Sequence, residues 1–354
     1  MNKKPLFLYI SLEDKILFCK NLSMLLKSGI TLTESLNILK ENTKSKTLKY
    51  ILSIAIEDVQ RGQYLSTSFS KFKNVLGEFF IEIIKIGELT GTLSENLEKL
   101  EQELKKIESL KRKTITVLIY PAFIIVTMII MMLLLLYFVF PKITPIFENL
   151  GVNLPLPTRI FLAISNFVTK NGLYIFVGIF VLLFLFNFSL RYRLFRYFFH
   201  STLLKIPIIS NLVKNYTLAE FSRILALLLG SGIKIVESFE ICAKSINNEI
   251  YKKIFKEAAD FVTAGHSLHE FFEKHPNLFF YNFIKMIEIG EKTGNLEKNL
   301  QYLTKNLEEN VDIFLERFVN ILEPLILVVI AIFIGFMAIS ILLPIYELSE
   351  KLQP

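Results

Sequence analysis

The sequence predicts an all-α membrane protein with two tandem-repeat six-helix cytoplasmic bundles and three transmembrane helices. Three observations carry this prediction. First, 52% of the 354 residues are hydrophobic and the mean hydropathy is +0.47, too apolar for an ordinary soluble chain. Second, a long block of sequence occurs twice in one register. Third, three apolar runs are long enough to cross a bilayer, and helical spacing holds between them where strand alternation does not.

The repeat is read first, because it fixes the organisation. The segment from Phe18 to Ile30, with Leu22, Leu25, Leu26, Ser28 and Gly29, matches Phe221 to Ile233. The same shift carries Gly62 and Leu65 onto Gly265 and Leu268. It carries Gly87, Glu88, Thr90 and Gly91 onto Gly290, Glu291, Thr293 and Gly294. Pro121 falls on Pro324 and Pro141 on Pro344, with no insertion between. Chance does not keep glycines in register over such a length, so the chain arose by duplication.

Within each copy the helices follow in order. Residues 12–27 place Ile16, Leu17, Leu22, Leu25 and Leu26 along a helix. Gly29, and Gly232 in the second copy, stand at the left-handed stop position. Thr31-x-x-Glu34 then forms a capping box, which Lys234 removes from the second copy. A third helix covers 46–60 and ends at Gly62. A short one follows at 65–72, then one at 76–89. After Gly91, Thr92-x-x-Glu95 reads as a second capping box that opens a long helix. Leu93, Leu97, Leu100, Leu104 and Ile107 form its stripe. In the second copy the stripe is Leu296, Leu300, Leu303, Leu307, Val311, Phe314 and Phe318. The turns are short, so neighbouring helices run antiparallel.

Each long helix runs past a proline, Pro121 or Pro324, into an uncharged apolar run. A proline there can kink the helix where bundle meets bilayer. The expected divisions are a first bundle over 1–116, a span at 117–140 and a loop at 141–172 holding a short helix. A span at 173–190, a second bundle over 191–322, a span at 323–346 and a tail at 347–354 complete the chain. The short helix, around 158–168, lies at the interface or extends the second span. Lys105, Lys106, Lys111, Arg112 and Lys113 precede the first span, and Arg191, Arg193, Arg196 and Lys205 follow the second. By the positive-inside rule both bundles are cytosolic, and the loop and tail face the other side. An even number of spans between the copies requires the same thing. The N-terminal apolar stretch is too short for a signal peptide, so the start of the chain is expected in the cytosol.

Net charge is +7, but the basic residues cluster beside the apolar runs, where they face anionic lipid; nucleic acid is not expected as a partner. Cys19 and Cys242 do not occupy matching places and read as buried free thiols in a reducing compartment.

No chemistry-bearing constellation stands out. There is no GxxxxGK[ST] and no GxGxxG after a strand, so no nucleotide site, and no catalytic residue or cofactor is expected. Of four histidines, His266, His269 and His275 lie close together, and two at i, i+3 can share a metal. The first copy has Gln63, Ser66 and Phe72 at those places, so the common architecture does not need imidazoles. A solvated short helix, begun by Ser267 with Glu270 as its capping partner, accounts for the cluster without a metal. Glu88 and Glu291 stay open between two readings. Each is a contact point for a partner or the neighbouring bundle, or a carboxylate that bonds backbone donors at the start of the next helix. The three apolar runs hold no Asp, Glu, Lys, Arg or His, whereas transporters mark their path with such groups. A small-molecule membrane transporter is therefore the alternative reading only.

The doubled Phe-x₃-Leu-x₂-Leu-Leu-x-Ser-Gly-Ile segment, the doubled Gly-Glu-x-Thr-Gly-x-Leu turn and Lys111-Arg112-Lys113-x₆-Tyr120-Pro121 resemble the type II secretion F family. The Leu154-Pro155-Leu156-Pro157-Thr158 loop and the connector from Lys205 to Leu212 also resemble it. One departure is a shorter segment before the first repeat than family members often carry. The resemblance implies an inner-membrane platform for a type IV pilus or a type II secretion pseudopilus. It implies as partners a cytoplasmic assembly ATPase, pilins or pseudopilins, other inner-membrane assembly proteins and further copies of the chain. It implies no enzymatic activity.

Overall fold

The computed structural model describes residues 8–139, 156–189 and 192–352, and all regular structure among them is helical. The loop prolines Pro141, Pro145 and Pro155, with Leu154, lie outside the described residues, as do Met1 to Phe7 and the last two residues. The chain divides into two compact units, Met1–Lys113 with Arg196–Asp312, and Thr114–Phe195 with Ile313–Pro354.

The first unit holds both copies of the repeat. The first copy contributes α1 (Leu12–Lys27), α2 (Leu32–Asn42), α3 (Lys46–Gln60), α4 (Leu65–Ser70), α5 (Lys73–Leu76) and α6 (Glu78–Thr90). It ends in α7 (Leu93–Leu134), one continuous helix that supplies its residues up to Lys113 to this unit. The helix starts are local chemistry. Ser11 and Asp14 form a reciprocal capping box on α1. Thr31 accepts from the Glu34 N–H on α2. Thr92 does not act as the expected box, because its hydroxyl is taken by the Asn96 amide at 2.9 Å and by Thr90 at 2.7 Å. Between 65 and 89 the structure has an additional turn, α5. Gly77, at φ +93°, separates α5 from α6, so the helix expected at 76–89 begins only at Glu78.

The second copy contributes α10 (Pro207–Gly230), α11 (Ile235–Ser245), α12 (Glu249–Thr263), α13 (Leu268–Glu273), α14 (Tyr281–Thr293) and α15 (Leu296–Leu352). Before it come α8 (Leu156–Ser189) and α9 (Arg193–Lys205). Lys234 stands at the α11 N-cap without a side-chain bond, in keeping with the lost capping box. Arg196 of α9 pairs with the Glu249 carboxylate, and the Glu249 N–H donates to His200 Nδ1 at 3.1 Å.

One hydrophobic core runs through both copies. In the first, Phe18, Phe69 and Phe80 form a triangle of rings. The second keeps these as Phe221, Phe272 and Phe283 and adds Phe239, Phe255 and Phe279 where the first has Leu36, Leu52 and Leu76. The Phe221 and Phe255 rings stack with centroids 3.9 Å apart. At these three buried positions of the second copy a ring fills the space that a leucine fills in the first. Cys19 and Cys242 are fully buried and free, and burial pushes both thiols up from their ordinary range.

The second unit takes α7 from Thr114 and α15 from Ile313, and Leu93–Phe138 and Leu296–Ser340 each contain a stretch long and apolar enough to cross a membrane. The apolar side chains there are mostly exposed, Phe123 and Ile332 among them, which suits lipid contact. Pro121 and Pro324 lie inside α7 and α15, and both helices run on past them. After Leu134, α7 gives way to one π-turn, Leu135–Val139. Widening the helix frees a carbonyl, and Ser165 of α8 donates to that of Leu136 at 2.6 Å. Met132, Val168, Phe333 and Phe336 pack around Leu136. α8 is one helix, so the short helix expected near 158–168 continues into the apolar run at 173–190. α15 likewise extends to Leu352, through most of the expected tail.

Candidate functional site

The doubled Gly-Glu-x-Thr-Gly turn is built the same way in both copies. Gly91 (φ +72°) and Gly294 (φ +67°) end α6 and α14 in the left-handed conformation, and Gly29 and Gly232 do the same after α1 and α10. Gly87 and Gly290 serve a different need. A Cβ on Gly87 would stand 2.7 Å from the Leu93 Cα, and one on Gly290 would stand 2.9 Å from the Leu296 Cα. The start of each long helix therefore lies directly against the preceding helix, and no side chain fits between them.

Glu88 and Glu291 reach the N-terminus of the short helix earlier in the chain. Glu88 Oε1 accepts from the Leu65 N–H at 2.6 Å, and Oε2 accepts from Ser66 at 2.8 Å. Glu291 repeats this with Leu268 at 2.6 Å and His269 at 3.1 Å. Both carboxylates therefore cap α4 and α13, while the expected donors belonged to the helix after the turn. The reason is the left-handed glycine three residues on, which turns the chain away and leaves the glutamate facing back across the bundle. Ser267 makes no side-chain cap bond on α13, because Glu291 holds the free donors that Ser267 and Glu270 were expected to satisfy.

The three histidines take separate partners. His269 Nδ1 meets Glu291 Oε2 at 2.6 Å, His275 Nδ1 meets the Phe271 carbonyl at 3.1 Å, and His266 stacks on Phe261. Among the described residues no three His, Cys, Asp or Glu side chains are grouped to hold a metal.

The structure brings together a further cluster that the sequence did not single out. Arg223 of α10 is buried, with Glu308 of α15 bonded to its guanidinium and Glu103 of α7 at 3.4 Å. Lys99, Gln102, Leu227, Glu297 and Thr304 join Arg223 and Glu103 around a cleft of about 350 Å³. Around it the two copies meet. Lys244 pairs with Glu78 at 3.6 Å, Ser231 Oγ donates to Asn96 Oδ1 at 3.4 Å, and Lys113 pairs with Asp312 at 2.6 Å. No periodicity announces this cluster, because its members come from three helices far apart in the chain.

Next to it, burial pushes the Glu220 carboxyl up to about 7, only partly offset by Arg223. Tyr216 and Cys242 are its other titratable neighbours. A carboxyl raised on folding takes up protons, so its stabilising form is complete below the unfolded value near 4.5 and is lost as pH rises through about 7. Glu220→Gln should therefore raise the thermal midpoint of the detergent-solubilised chain at pH 8 and leave it unchanged near pH 4. Glu220 is half-buried, so solvent screening reduces the expected gain to about 1–2 kcal/mol.

Comparison with known proteins accounts for the duplicated pattern. The family described as type II secretion system (T2SS), protein F, matches residues 18–141 and again 221–344. The type IV pilus assembly protein PilC of Thermus thermophilus is 28% identical over 342 residues, covering 97% of this chain and 84% of the relative. PilC of Pseudomonas aeruginosa is 26% identical, covering 95% and 90%. The type II secretion system protein F of the same organism is 28% identical, covering 96% and 84%. The two family matches fall on the two halves that share the glycine turns and the glutamate caps, and this chain belongs to the type II secretion system protein F family.

Proposed function

We propose that this chain is the inner-membrane platform on which a type IV pilus or a type II secretion pseudopilus is assembled. The observation that carries the reading is the family's pattern present twice, each copy ending in a helix that continues into an apolar stretch. Relatives along nearly the whole chain are named for pilus assembly and for type II secretion. In this reading each copy is a six-helix cytosolic head, and three spans, α8 supplying the second, hold the heads in the membrane. The basic residues before the first span and after the second support that orientation. A cytoplasmic ATPase drives the heads, and the long helices pass the motion to pilin or pseudopilin subunits leaving the bilayer. Other inner-membrane assembly proteins and further copies of the chain complete the platform.

Deletion of the gene tests this. The expected result is loss of surface filaments or of the secreted protein, with pilins still present in the membrane fraction and restored by the plasmid-borne gene. Filaments and secretion at normal level in the deletion strain would overturn it.

A further inference from the structure

We infer that the contact between the two copies inside one chain is repeated between chains, with α1 and α2 of one molecule docking against α14 and α15 of the next. This specifies the self-association included in the platform reading, but its geometry rests on the duplicated fold alone.

The internal contact uses different faces of the two copies. The first copy presents α6 and α7, through Glu78, Lys85, Asn96 and Glu103. The second presents α10 and α11, through Arg223, Leu227, Ser231, Glu237 and Lys244, with α15 joining at Thr304 and Asp312. A two-fold contact would also use the reverse pairing, which puts Lys20 and Glu41 against Asn306 and Tyr281. That pairing is not made, since Lys20 and Glu41 are exposed and Tyr281 is 72% exposed. The contact is therefore heterologous, and a heterologous contact leaves one unused half at each end.

Both unused halves have the character of covered surface. On α1, Leu17 is 47% and Met24 56% exposed, and Met24 is the counterpart of Leu227 in the cleft between copies. On α14, Ile289 is 49% exposed where its counterpart Ile86 is half-buried. One polar pair also survives. Ser28 and Asn299 keep the residue types of Ser231 and Asn96. Where Lys244 faces Glu78 with Glu82 one turn on, the free halves offer Glu41 against the uncharged Tyr281, with Lys285 one turn on in place of Glu82. Lys20 would meet the Asn306 amide in place of Arg223 on Glu103. Glu34 would face Glu288, whose charge Lys285 and Lys292 already hold. With fewer buried charges and no covalent tether, contact between chains is weaker than contact within one.

The test is crosslinking of full-length chains in the membrane. Glu41→Cys and Tyr281→Cys are placed on two differently tagged copies, co-expressed and treated with a short bis-maleimide. The native Cys19 and Cys242 are buried and do not compete. Lys244→Cys with Glu78→Cys in one chain gives the internal control. The expected result is a product carrying both tags, absent when either variant is expressed alone, and reduced several-fold by Met24→Glu. No mixed product, with the control linked and both thiols labelled by a mono-maleimide, would overturn the inference. So would Glu41→Cys linking equally well to itself, because that requires a two-fold contact. Filament assembly is not the readout, so a negative result leaves the platform reading standing, and a filament-competent deletion strain leaves this geometry standing.

Discussion

Arg223→Met is expected to destabilise the first unit by about 3–5 kcal/mol, the largest effect of any single substitution considered for this fold. The guanidinium is 4% exposed and its two carboxylates, Glu103 and Glu308, are 15% and 28% exposed. Removing the cation leaves Glu103 and Glu308 close together beside the cleft without the charge that compensates them. Some hydration at Glu308 puts the cost toward the lower end of that range. Thermal unfolding of the solubilised chain should show a clear fall in midpoint. Arg223→Met combined with Glu103→Gln and Glu308→Gln should recover most of it, because the uncompensated charge is then gone. If the triple variant is as unstable as the single one, the loss arises from packing and the electrostatic account fails.

Glu88→Ala and Glu291→Ala are the second pair, each expected to cost about 2–4 kcal/mol. Each carboxylate accepts two N–H groups at the start of a six-residue helix, α4 or α13, too short to hold its shape without them. Hydrogen exchange at Leu65 and Ser66 should accelerate in Glu88→Ala while the α3 amides stay protected. Glu88→Gln keeps an acceptor oxygen and should lose about half as much. A contact role for these glutamates predicts the opposite pattern, with unchanged stability and exchange but impaired assembly. In that case the retention of Glu in both copies would reflect a partner.

Much of the architecture is legible from local pattern. Helix stops at Gly29, Gly62, Gly91 and Gly294 follow from a positive φ that other residues resist, and the apolar stripe of α7 follows from spacing alone. The break at Gly77 was harder to see, because nothing flanking that glycine distinguishes a stop from a helix interior. For α8 the sequence left open whether the helix near 158–168 lies at the interface or extends the second span, and the structure has the extension, with Gly172 in helical conformation inside it. For Glu88 the sequence leaves a contact role and backbone capping both open, and the helix it caps could not be named, since its target lies 23 residues away. The one available signal was the joint retention of Leu65 and Glu88 in both copies.

The sequence by itself determined that the chain is a duplication, all helical, with long apolar stretches carried by the closing helix of each copy. These are properties of residues close together in the chain, or of one block compared with its own repeat. Only the tertiary structure decided that Glu88 and Glu291 reach back to short helices, that Arg223 is buried between two acids, and that the copies meet through unlike faces. Those features depend on how distant helices approach, which is set by side-chain fit across the whole core and leaves no periodic trace along the chain.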